Sequence, residues 1–141
     1  MMLTANFKTE SRFPVDRKKI REIINQTLDK QGLKNDCEIS ISIVGDRKMR
    51  GLNKKYLNLD ETTDVLSFPL ESEDKIIKRG TPDAPSGFVS PPDGLLHLGD
   101  IVVSYPQALA QAAEKNIFVD QEINILIEHG VLHLLGIHHD E

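Results

Sequence analysis

The sequence has 141 residues, enough for one domain with its own core and too few for two. Hydrophobic residues make up 39% and charged residues 28%, which excludes a disordered or fibrous chain. A formal charge of −5 gives no support to a general nucleic-acid binder, which normally carries a basic excess or a basic patch, so any contact with phosphates has to be local.

Taken in chain order, residues 2 to 8 alternate weakly and predict a strand. Pro14 then opens a helical pattern with Ile20, Ile23, Ile24 and Leu28 at spacings of three and four, stopped by Gly32. Residues 38 to 44 alternate polar and β-branched apolar side chains, the mark of a half-buried strand. From Asp46, read as the cap, Met49, Leu52 and Tyr56 place a helix whose other face is basic, carrying Arg47, Arg50 and Lys54 with Lys48 and Lys55 nearby. Residues 64 to 68 read as a strand ended by Pro69, and residues 98 to 104 as its neighbour.

The stretch 71–96 between those strands is rich in Pro, Gly and acidic residues and reads as a mobile loop. Pro106 begins another helix, and Asp120 is read as the cap of the last one, from Gln121 to about Leu135. The apolar positions of that last helix surround much of its circumference, so it is expected to be largely buried. Strands mixed with helices without regular alternation predict an α+β fold: one domain, residues 1–141, with a small mixed sheet packed by helices.

No apolar run is long enough to span a bilayer, so no membrane partner is expected. The N-terminus lacks the basic start and apolar stretch of a signal peptide, and a cytoplasmic location is expected. Cys37 is the single cysteine, so it has no disulfide partner within the chain and reads as a buried structural thiol.

Four of the five histidines fall within eleven residues at the C-terminus. His129 and His133 are four apart, so on a helix they share a face about one turn apart, where two imidazoles grip one ion. Gly136 suits the left-handed turn that would end the helix and return the chain to bring up a third histidine. His139 is the candidate, with His138 beside it as rival, while His97, read in a loop before a strand, looks incidental.

Three nitrogens around a metal, zinc by ligand type and one ion per chain, leave the fourth position to a water whose pKa falls toward about 7, so hydrolysis is the natural reaction. That metal-bound water is the only catalytic group the residues suggest. The spacing of His129, His133, Gly136 and His139 matches a zinc-peptidase signature, but Gly130 stands where a peptidase places its glutamate base. Glu128, on the other side of His129, points about 100° away, so proteolysis is disfavoured.

The run from His129 to His139, His-Gly-Val-Leu-His-Leu-Leu-Gly-Ile-His-His, resembles the pattern His-Gly-x-Leu-His-Leu-x-Gly-x-Asp-His of the YbeY endoribonucleases, also called rRNA maturation factors. The stretches Asn53-Lys54-Lys55-Tyr56, Asp60 to Pro69 and Leu98-Gly99-Asp100-Ile101 resemble the same family. The resemblance assigns the third ligand to His139. It implies a zinc-dependent, single-strand-preferring endoribonuclease of the cytoplasm that acts on ribosomal RNA and small-subunit particles in ribosome biogenesis, with roles in 16S rRNA 3′ end maturation and late 70S quality control.

Two positions depart from the family: Leu57 replaces an arginine and His138 an aspartate. The family also continues past its third histidine into an acidic stretch, whereas this sequence stops at Glu141. The basic residues Arg47, Arg50 and Lys54 are candidate RNA contacts, without an aromatic platform beside them. Ser67, Thr62 and Asp64 are candidates for shaping the pocket. The alternatives are another zinc hydrolase, or a ribosome-associated binding factor whose metal is structural.

Overall fold

A computed structural model describes residues 2–70 and 95–137 of the chain. The elements run β1 (Leu3–Lys8), α1 (Arg17–Lys30), β2 (Asp36–Val44), α2 (Asp46–Leu57), β3 (Val65–Pro69), β4 (Leu95–Ser104), α3 (Tyr105–Lys115) and α4 (Val119–Leu134). The strands form one mixed sheet in the order β1-β2-β4-β3, with β1, β2 and β4 parallel and β3 antiparallel to β4. This is the α+β architecture expected from the sequence, and β3 and β4 are neighbours as read. Among the described residues no helix is long and apolar enough to cross a membrane.

Most of the mobile loop read at 71–96 lies outside the described residues, but its last two positions, Leu95 and Leu96, belong to β4. Leu96 is fully buried, so the strand starts earlier than its Ile and Val content suggested. His97 accordingly sits within β4, not in a loop.

The inner face of the sheet carries Cys37, Ile39, Ile41 and Ile43 from β2 and Leu96, Leu98, Ile101 and Val103 from β4. Ile20, Ile24 and Leu28 of α1 and Ile123, Ile127, Val131 and Leu134 of α4 pack into the same core. Each such side chain removed from water contributes roughly 1.5–3 kcal/mol. In β4 the inward side chains change from even to odd numbers at a register shift opposite Glu38/Ile39. The change falls at Gly99, whose φ of +138° only glycine adopts readily, and a Cβ there would overlap the Phe68 carbonyl oxygen.

On the outer face, α2 covers a smaller apolar cluster of Val44, Met49, Leu66 and Val102, with Leu52 and Phe68 packed against it. Helices α4 and α2 therefore lie on opposite sides of the sheet.

The helix starts correct three sequence readings, two by one residue and the third by two. The cap of α2 is Gly45, and Asp46 is the first helical residue. The Asp46 carboxylate instead accepts from Thr62 Oγ1 at 3.0 Å, Ser104 Oγ at 2.8 Å and Gln107 Nε2 at 3.2 Å, joining α2 to the following loop and to the start of α3. Helix α3 begins at Tyr105, with Ser104 as its cap and Pro106 just inside. Helix α4 is capped at Phe118, not Asp120: the Gln121 side chain accepts from the Phe118 backbone N–H at 2.9 Å.

Candidate metal centre and phosphate-facing residues

Helix α4 is less enclosed than its composition implied. Gln121, Ile125, His129 and His133, each four residues from the next, are all exposed and form one open stripe. The helix buries the other side through Glu122, Ile123, Leu126, Ile127, Gly130, Val131 and Leu134. The geometry expected for two imidazoles on one face is therefore present, and both rings are open to solvent.

Three features set where His133 stands. Gly130 rests on the sheet so closely that a Cβ there would lie 3.0 Å from Ile101 side-chain atoms. A glutamate base at position 130, as in a peptidase, would thus run into the sheet and not toward the histidines. Ser67 of the edge strand β3 pairs with Ile101 across the ladder, on the face that α4 covers. Ser67 Oγ lies 3.0 Å from His133 Nδ1.

Gly136 has φ +80°, and the backbone N–H groups of Gly136 and Ile137 donate to the carbonyls of His133 at 3.0 Å and Leu132 at 2.9 Å. The predicted reversal after the helix is there. His138 and His139 follow it and lie outside the described residues, and among the described residues no three His, Cys, Asp or Glu side chains are gathered to hold an ion.

The donors that are described suit zinc. Two imidazoles stand a helical turn apart on an exposed face, and in one of them Nδ1 is the ring nitrogen that faces Ser67, so Nε2 is the nitrogen that would reach a metal.

Of the pocket-shaping candidates, only Ser67 touches this centre. Thr62 donates to Asp46, while Asp64 accepts from the Val65 backbone N–H at 2.7 Å and from Gln111 Nε2 at 3.1 Å, so both are used to fasten the loop before β3. His97 is on the outer face, with its Nδ1 2.8 Å from Glu38.

The basic residues are not beside the histidines. Arg47, Arg50 and Lys54 are all exposed positions of α2, on the other side of the sheet, with Lys54 in the last turn of the helix. Arg50 Nε donates to Asp60 at 2.8 Å; this bond, and after it the opposite charge, hold the Asp60 carboxyl below its ordinary value and the Arg50 guanidinium above its own.

Two residues near them carry roles the sequence reading missed. Tyr56, assigned to the apolar face of α2, is 55% exposed and tilts against Phe68 with ring centroids 5.1 Å apart, with Lys55 Nζ 5.1 Å from its centroid. It borders a groove of about 350 Å³ that Lys8, Lys48, Phe68 and Asp100 also line. An aromatic surface therefore does accompany the basic helix, contrary to expectation. Asn53 is buried and donates to the Glu61 carbonyl at 2.9 Å, tying α2 to the loop that leads into β3. Only the spacing of Asn53 one turn after the buried Met49 hinted at this, and polarity pointed the other way.

The family model described as Endoribonuclease YbeY matches residues 5–141. A Dehalococcoides mccartyi protein named Endoribonuclease YbeY is 42% identical over 122 residues, covering 86% of this chain and 74% of its own. Proteins of the same name from Clostridioides difficile, 39% identical over 86% of this chain and 71% of theirs, and from a Roseiflexus species, 36% identical over 89% and 72%, are similar too. The solution structure of a Thermotoga maritima protein shares the fold with a TM-score of 0.57 at 22% identity, covering 99% of this chain and 75% of that one. With its terminal histidine motif, its mixed sheet and a match along nearly all of its length, the chain belongs to the endoribonuclease YbeY family.

Proposed function

We propose that this chain is a zinc-dependent endoribonuclease that cleaves single-stranded ribosomal RNA during ribosome biogenesis, in the cytoplasm, with 16S rRNA 3′ end maturation and late 70S quality control as its settings. The observation that carries the reading is the exposed pair His129 and His133 on one face of α4, inside the motif that matches the family. His129, His133 and His139 hold one zinc ion per chain. Zinc in such a three-nitrogen site polarises a phosphoryl oxygen and lowers the pKa of a water toward neutrality.

The chain supplies position and charge. Ser67 sits against His133, and β3 carries it at the edge of the sheet formed by the described residues, where we place an extended RNA strand. Arg47 and Lys54 on α2 meet backbone phosphates, and Arg50 does so after exchanging Asp60 for phosphate. The exposed Tyr56 ring offers a face on which a base can stack. Since α2 and α4 flank opposite faces, a strand using both passes around the β3 edge, which a single strand can do and a stiff duplex cannot.

The test is cleavage of a 16S rRNA 3′ precursor by zinc-loaded protein and by His133→Ala. Loss of a ligand is expected to lower the rate more than the 10–100-fold typical of an outer partner, to below about one hundredth. Equal rates would end the nuclease reading. Particle binding that survives in both without cleavage would favour a binding factor with a structural metal.

A further inference from the structure

We propose that Ser67 is the positioning residue for His133: its hydroxyl oxygen accepts the imidazole Nδ1–H and so turns the Nε2 lone pair outward for zinc. This rests on the zinc reading above. A neutral imidazole carries one ring proton, and a ring that ligates through Nε2 carries it at Nδ1, where it needs an acceptor. Ser67 Oγ, at 3.0 Å, is that acceptor.

The contact is long in sequence, 66 residues, and the fold is arranged to make it. Ser67 faces α4 because it pairs with Ile101 on the inner side of the ladder. Gly130 lets α4 settle onto Ile101, and Gly99 leaves room for Leu134 and for the Phe68 carbonyl at the same crossing. A side chain at either glycine would separate the helix that carries His133 from the strand that carries Ser67.

Serine also matters by kind. A carboxylate, the commoner partner of a ligating histidine, would push charge into the ring; a hydroxyl fixes the ring while leaving it a weaker donor to the metal. Serine therefore orients the ligand without strengthening it.

The experiment is a zinc titration of the full chain against a chromogenic chelator, for the wild type, Ser67→Ala and Ser67→Thr, with the ¹H–¹⁵N signal of the His133 ring recorded on the zinc-loaded proteins. Ser67→Ala is expected to weaken zinc about tenfold and Ser67→Thr, which keeps the hydroxyl, to stay near wild type. An Nδ1–H signal protected from water exchange is expected in the wild type and the threonine variant, and lost in the alanine variant. Tight binding by the wild type with Ser67→Ala within twofold of it would overturn the role of Ser67 alone. A wild type that takes up less than half an equivalent would overturn the zinc reading and this role with it. The ring signal needs no variant, so a His133 protonated at Nε2 in the zinc-loaded wild type would also overturn the role.

Discussion

Cys37 is fully buried, and its thiol donates to the Asn35 carbonyl at 3.2 Å. Burial first, and the neighbouring Asp36 charge second, push its pKa from 9.0 up to about 12. The thiolate is the reactive form, so the native protein is expected to resist a maleimide at pH 8 and to react on unfolding; rapid native labelling would contradict this burial. The sign for stability follows. The folded state holds this proton more tightly, so the contribution is intact below the unfolded value of about 9 and is lost as pH rises from there toward 12. The burial of Cys37 was legible in the sequence because a lone thiol behaves as a small apolar side chain. The exposure of Tyr56 was not, since helical spacing places a side chain on a face without saying whether anything covers it.

Among the elements, α4 depends most on a single close approach, that of Gly130 to Ile101. A methyl group there meets three Ile101 carbons at 3.0 to 3.1 Å. Overpacking of this kind costs about 1–3 kcal/mol, while alanine gains up to about 1 kcal/mol in helix propensity. Gly130→Ala is therefore expected to lower the melting temperature by roughly 4 °C, with part recovered by adding Ile101→Val. A melting temperature at or above wild type would show that the helix stands further from the sheet than described. Helix and strand identities were readable from apolar spacing, and Gly32 and Gly136, at φ +72° and +80°, end their helices where expected. The helix starts were misread at Asp46 and Asp120 because good capping side chains stand one or two residues inside the helices, where Asp46 serves tertiary bonds instead. The shift at Gly99 was invisible, since Leu95, Leu96 and Leu98 give no alternation from which an extra residue can be counted.

At the scale of the whole molecule, the sheet separates the two sets of candidate site residues. The histidines of α4 stand over the inner face and the cations of α2 over the outer one, joined at the β3 edge by Ser67 and Phe68, which point to opposite sides. The pairing of His129 with His133 was legible because four residues make a helical turn. The meeting of Ser67 with His133 was not, because it depends on strand order and on two glycines far apart in the chain. The central claim is that the terminal histidines hold one zinc ion on which RNA cleavage depends. The most direct measurement is the cleavage rate of chelator-stripped protein as zinc is returned in known amounts. The rate is predicted to rise linearly and break at one zinc per chain. A rate already maximal in the stripped protein and unchanged by zinc would contradict the claim.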